Sequence, residues 1–250
     1  MENLLEQYRY FLKDTVRQTI DFRLTDQRKG TAPPPIEKPY DIKSDRIELV
    51  TKDDWHSIAN IDLIAAIQNR ESHRHYKEEP LSLEELSFLL WATQGIRKRA
   101  ADTTAFRTVP SAGCRHALET YICVLNVTGL ATGIYRYLPL EHQLLVVSIN
   151  DTLSEDIVTA ALYQSFIGKA PATFIWTTIP YRMEWRYHIA AHKVIALDAG
   201  HVCQNLYLAS AAIGGGTCAV AAYHQELMDK LLGVDGKNEF AIYLAAVGKI

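Results

Sequence analysis

The segment WRYHIAAHKVIALDAGHVCQNLYLASAAI, positions 185–213, contains no proline and runs straight into Gly214, Gly215 and Gly216. It predicts one long helix over about 187–212, stopped by glycine, which takes a left-handed cap at no steric cost. The helix is apolar almost all round, so most of its faces have to be buried. A sheet or further helices must therefore be packed around it.

The rest of the chain supplies those layers. Residues 119–126, 133–138, 144–148 and 172–178 are rich in β-branched and aromatic side chains and predict strands. Residues 154–167 and 225–232 read as helices, the second ended by Gly233. A short strand follows the three glycines, and a last one covers 240–247. Residues 1–21 and 54–69 carry apolar positions at helical spacing. In PLSLEEL at 80–86, Ser82 and Glu85 make a capping-box pair that starts another helix, and Gly95 offers it a left-handed stop. Strands separated by helices, with a hairpin in the middle, give an α+β fold: a mixed sheet covered by helices. Pro33, Pro34, Pro35 and Pro39 exclude helix from TDQRKGTAPPPIEKPYD and favour a stiff, extended arm or a solvated linker. The chain thus divides into a helix and proline-rich arm at 1–60 and a main domain at 61–250.

Composition removes several classes of function. With 48% hydrophobic and 22% charged residues and a net charge of -3, the chain is an ordinary globular protein without a basic stripe for nucleic acid. No apolar run reaches the ~18 to 20 residues needed to cross a bilayer. The first residues are charged throughout and lack a secretory layout. The four cysteines contain no C-x-x-C pair and read as reduced thiols in a cytoplasm.

Four clusters can carry chemistry. If 70–76 is extended, Arg70, Ser72, Arg74 and Tyr76 share one face, giving either a guanidinium site for phosphate or a solvated loop. Pro110, Ser111, Ala112 and Gly113 combine a fixed φ with little side-chain bulk, suiting a tight turn or close approach to a flat ligand. Gly214, Gly215 and Gly216 are a helix stop or a run of bare amides at a ligand edge. They are not a dinucleotide fingerprint, because the order is helix, glycines, strand. Lys249 ends the last strand. His188 and His192, four residues apart, can share a helix face and bind zinc, with Glu184 or His201 as a third ligand. Asp198, His201 and Asn205 read as a mutually satisfied polar stripe at a packing interface.

The order of these pieces is more specific than any one of them. R-x-S-x-R-x-Y (Arg70–Tyr76), P-L-S-x-E-E-L (from Pro80), T-V-P-S-A-G (Thr108–Gly113), G-x-Y-R-Y (Gly133–Tyr137), L-D-A-G-H-x-x-Q-N-L-Y-L-A (Leu197–Ala209), G-G-G-T-C (Gly214–Cys218) and V-G-K (Val247–Lys249) follow one another. This array resembles the nitroreductase superfamily, and within it the SagB/ThcOx-type dehydrogenases. The resemblance covers about residues 60–250, and the proline-rich arm is similar to an N-terminal extension of some SagB-type members.

The resemblance implies a nitroreductase-like fold with FMN at a homodimer interface. Arg70, Ser72 and Arg74 would hold the phosphate, ribityl chain and pyrimidine edge. Pro110, Ser111, Ala112, Gly113 and Arg115 would lie against the flavin from the partner chain. Gly214, Gly215 and Gly216 would line its ring, and Lys249 would add charge near the phosphate. It implies a ping-pong oxidoreductase, transferring a hydride through flavin N5, with NAD(P)H as reductant and a small molecule or peptide as substrate. Tyr187 is the candidate proton donor or acceptor, and Trp176, Tyr181 and Trp185 are either a substrate wall or core. Azoline-oxidising relatives carry a Lys-Tyr pair where this chain has Arg186 and Tyr187, and arginine is a poor base. Cys114 stands where many members have asparagine or alanine. The alternatives are an azoline dehydrogenase acting on a modified peptide and a non-catalytic flavin-binding scaffold subunit.

Overall fold

A computed structural model describes residues 2–101 and 103–250 of the chain. After α1 (Glu2–Leu12) come β1 (Arg46–Glu48), α2 (Leu63–Gln68), α3 (Leu83–Gln94) and a hairpin of β2 (Ile96–Ala101) and β3 (Thr104–Arg107). The centre holds β4 (Leu118–Val124), β5 (Gly133–Leu138), β6 (Gln143–Ile149), α4 (Leu153–Ala160) and β7 (Ala172–Thr178). The chain ends with α5 (Tyr181–Tyr187), α6 (Ala191–Ala211), β8 (Gly215–Val220), α7 (Gln225–Leu232) and β9 (Phe240–Lys249).

Seven strands form one sheet in the order β1-β6-β5-β4-β7-β9-β8. Every pair of neighbouring strands is antiparallel, so the mixed sheet expected from alternating strands and helices is not what forms. β7 and β8, joined across α5 and α6, do point the same way. β9 lies between them and runs against both.

Side chains of β7 alternate between two cores, as the period of two requires. Phe174 and Trp176 pack with residues of α3 and α6 on one face. Ile175 packs with α4 and α7 on the other. Trp176 is therefore core.

Several elements differ from the sequence reading, each for a local reason. The long helix begins only at Ala191, because His188 adopts φ 51°, ψ −139° and breaks it from α5. It also leaves a stripe at the surface, with Leu197 57% exposed beside exposed Gly200, His201 and Gln204. In 54–69 only Leu63–Gln68 is α-helical, started by the Asp62 carboxylate accepting the Ala65 amide. Upstream, the His56 and Ser57 amides donate to Glu84 instead. The helix expected over 154–167 stops at Ala160, before Leu162 and Tyr163 take positive φ. The Ser82–Glu85 capping box forms. Gly95, however, has φ −60°, not a left-handed cap; an added Cβ would lie 2.3 Å from Trp91 Cδ1, so close packing requires the glycine.

The proline-rich arm is pinned by buried charge. Arg107 Nη2 donates to the Ile36 carbonyl at 2.9 Å, Arg136 Nη2 to the Lys38 carbonyl at 3.0 Å, and the Lys38 amide to Glu119 at 3.0 Å. Proline has no amide to donate to a strand ladder, so guanidinium groups satisfy the carbonyls of this segment.

Candidate functional site

Beyond α2 the backbone runs extended across one end of the sheet. Ser72 bridges to Thr217 in parallel sense, the His73 amide donates to the Thr217 carbonyl at 3.0 Å, and the Lys77 amide to the Lys249 carbonyl at 3.0 Å. This docking brings Arg70 against the start of β8. Arg70, His73, Tyr207, Gly214, Gly215 and Gly216 line one cleft of about 440 Å³.

Two of the three glycines are required, for different reasons. Gly214 has φ +61°, which favours glycine, and open space where a Cβ would stand. Gly216 passes so close to His73 that a Cβ would meet its Cδ2 at 2.4 Å. Gly215 and Gly216 pair with Lys249 and Gly248 of β9, so the ladder already orders the backbone that edges the cleft.

Arg70 lines this cleft, while Ser72 and Arg74 lie outside its lining. Among the described residues Arg70 and Arg74 form no ion pair. The Arg70 guanidinium lies 5.2 Å over the Tyr207 ring, and that of Arg74 lies 5.9 Å over Phe166. Ser72 Oγ is 2.8 Å from the Tyr207 hydroxyl. Burial raises the Cys218 thiol, while Arg74 and Ser72 pull it back. Lys249 is engaged differently: its ammonium bonds Glu85 of the capping box and donates to the Ile213 carbonyl at 2.6 Å.

The other candidates gather elsewhere. Pro110 and Ser111 open onto a second cleft of about 550 Å³, shared with Arg97, Arg107, Cys114 and His116. Gly113, at φ +57°, sits in the short turn Ala112–Cys114 and faces Tyr187, whose hydroxyl would be 2.6 Å from an added Cβ. Asp198 is buried, which raises its carboxyl, while Ser111 and Ala112 oppose that rise. The expected polar stripe on α6 is not formed. Asp198 is directed at the Ser111 turn, Asn205 donates to the Ala92 carbonyl at 2.8 Å, and His201 is exposed. Arg115 lies 5.1 Å over Trp185 and donates to the Thr103 carbonyl at 3.1 Å. Trp185 and Tyr181 bind the N-terminal segment through the Thr31 carbonyl and Asp26.

His188 and His192 do not share a helix face, because the break falls at His188. His192 pairs with Glu184 at 2.8 Å, and no three His, Cys, Asp or Glu among the described residues form a metal-holding group. No helix among them is long and apolar enough to cross a membrane. Sequence gives no signal for Tyr207 or His73, since one aromatic in an apolar helix and one histidine in a charged loop carry no distinctive spacing.

One copy of the chain therefore carries two separate groupings: Arg70 with the triple glycine, and Pro110–Gly113 with Tyr187. The model of the nitroreductase family matches residues 67–249. A Methanocaldococcus jannaschii protein described as a nitroreductase is 33% identical over 192 residues, 77% of this chain and 93% of that protein. The trifolitoxin-processing protein TfxB of Rhizobium leguminosarum is 26% identical over 65% of this chain and 46% of its own length. Among solved structures, a Ralstonia eutropha protein described as a nitroreductase superposes with TM-score 0.68 at 24% identity, covering 87% of this chain and 94% of the other; that likeness speaks for the fold. A matched region spanning both groupings, with a relative aligned over nearly its whole length, shows that the chain belongs to the nitroreductase family of oxidoreductases.

Proposed function

We propose that the chain binds FMN between two copies of itself and moves two electrons from a reduced donor to an acceptor in separate half-reactions. The observation that carries this is the meeting of the Arg70 guanidinium, which has no ion-pair partner among the described residues, with Gly214, Gly215 and Gly216 around a cleft of about 440 Å³. That volume lies within the ~300–1,000 Å³ of small-molecule sites. A guanidinium fork matches phosphate oxygens, and the open space beside Gly214 leaves room for a flat ring. These residues fit the cofactor.

When bound, FMN supplies the two-electron chemistry, with NAD(P)H as the donor. Arg70 holds the anionic tail, Ser72 is oriented for the chain by Tyr207, and Arg74 supplies positive charge to the ring edge. Lys249, paired with Glu85 and bonded to the Ile213 carbonyl, fixes the end of β9 beside the triple glycine. Pro110 and Ser111 open onto a different cleft, and with Ala112, Gly113 and Arg115 they close the site from the second copy. Tyr187, packed against Gly113, holds or accepts a proton at the substrate. The exposed apolar residues Leu63, Ile64, Ile67 and Leu197 are faces that a second copy would cover.

The test is the purified chain itself. A dimer with flavin absorbance near ~450 nm, bleached by NADPH or NADH, supports the reading. Charge reversal at Arg70 and Arg74 then has to empty the site; unchanged flavin content would sink the proposal.

The similarity to a trifolitoxin-processing protein favours one second reading, a SagB-type dehydrogenase acting on azoline rings of a modified peptide. Arg186 in place of lysine argues against it. Turnover of a thiazoline-bearing peptide, with none of a nitroarene, would decide for it.

A further inference from the structure

The cleft under Pro110 and Ser111 extends toward the base of the β2–β3 hairpin, where its lining is cationic. Arg97 and Arg107 line it, and none of the described residues that line it is acidic. Arg97 is exposed and anchored only through Nε, which donates to the Arg107 carbonyl at 2.9 Å. Its terminal nitrogens have no partner among the described residues. Arg107 is 3% exposed; its Nη1 and Nη2 bond Gln94, Leu118 and Ile36, and only its Nε has no partner among the described residues. Lys98 is exposed on the same strand.

The acids nearby lie outside the lining of the cleft, and Glu119 and Glu37 act on Arg107 from behind it. Glu119 pairs with Arg182 at 2.6 Å, Glu37 accepts the Leu140 amide at 3.2 Å, and Asp198 faces Ser111 and Ala112. The surplus of positive charge is felt inside the cleft. His116 is held down to about 3, first by burial and then by Arg107, Arg115 and Arg182.

A guanidinium such as that of Arg97, with free terminal nitrogens at a concave cleft, is matched by phosphate or carboxylate oxygens. We propose that this cleft is a subsite for the anionic part, phosphate or carboxylate, of a co-substrate whose reacting end lies against Pro110 and Ser111. The identity of that co-substrate rests on the flavin reading above; the presence of an anion subsite does not.

The test compares charged reactants with neutral counterparts on the flavin-loaded protein. Reduction is followed with NADPH and with neutral 1-benzyl-1,4-dihydronicotinamide, and reoxidation with 4-nitrobenzoate and nitrobenzene. In Arg97→Glu, the preference for one charged reactant over its neutral counterpart falls about ten-fold. A fall confined to NADPH identifies a dinucleotide phosphate, and one confined to nitrobenzoate an acidic acceptor. Equal effects on both members of both pairs overturn the subsite. If the protein takes up no flavin, the flavin reading fails and the subsite is still measured. Calorimetric titration with inorganic pyrophosphate then shows binding that persists in Arg70→Glu and is lost in Arg97→Glu. Heats insensitive to Arg97 overturn the proposal.

Discussion

The Tyr207 hydroxyl lies 2.8 Å from Ser72 Oγ and accepts the Ala219 amide at 3.0 Å, so one side chain of α6 ties the Arg70–Tyr76 segment to β8. Its ring lies under the Arg70 guanidinium at 5.2 Å. Tyr207→Phe keeps the ring and removes both hydrogen bonds, leaving the Ala219 amide without its acceptor. The expected cost is about 1–3 kcal/mol of stability, with weaker flavin binding. Thermal unfolding and flavin titration measure the two effects, and an unaltered protein on both counts would remove Tyr207 from the site.

Gly216 gives a packing prediction. An added Cβ would stand 2.4 Å from His73 Cδ2, so Gly216→Ala has to displace the His73 ring or the backbone. Overpacking of this kind costs about 1–3 kcal/mol. Gly216→Ala combined with His73→Ala is expected to recover part of it, since the two sites couple through one contact. A double variant whose loss equals the sum of the single losses would show that the contact is not the cause.

The Glu119–Arg182 pair is buried on both sides at 2.6 Å. Arg182→Met strands a carboxylate in the core. Breaking such a pair costs about 3–5 kcal/mol. The low end is expected here, because Arg136 and Arg107 also hold the Glu119 carboxyl down. Urea titration checks the size of the loss, and a change under about 1 kcal/mol would mean the pair is open to water.

Acid should weaken the fold through His116, which has a folded value of about 3 against the ordinary 6.5. Its folded value is depressed, so the folded state binds fewer protons than the unfolded chain in that window. Stability is intact above pH 6.5 and falls toward pH 3, by up to about 1.4 kcal/mol per pH unit. Glu37 acts oppositely: burial raises it to about 8, so its contribution is present at low pH and lost as pH rises from 4.5 through 8. Comparing His116→Gln with the parent chain isolates the histidine. The two should converge as pH falls from 6.5 to 4, and parallel curves would contradict it.

Where a signal was local, it was legible. The strand predicted over 133–138 is β5 and that over 172–178 is β7, because alternating β-branched and aromatic residues suit a sheet buried on both faces. The helix over 225–232 stops at Gly233 with φ 67°, as a left-handed glycine cap requires. The β2–β3 hairpin was not anticipated, since β2 is almost wholly exposed and has no apolar alternation to reveal it. Nor was the break at His188, a residue with no intrinsic preference for positive φ, held there between α5 and α6.

What the amino-acid order settles for this chain is most of the central strands and helices, the Ser82–Glu85 start of α3, the Gly233 stop of α7, and the candidate groups at Arg70, Pro110 and Gly214. Those properties follow from side-chain period and backbone sterics acting over a few residues. The antiparallel sense of the sheet, the insertion of β9 between β7 and β8, and the meeting of Arg70 with Gly214–Gly216 belong to the folded molecule alone. Each pairs segments far apart in the chain, and which pairing wins is a matter of total apolar burial on both faces of the sheet against the entropy of closing the loops between them.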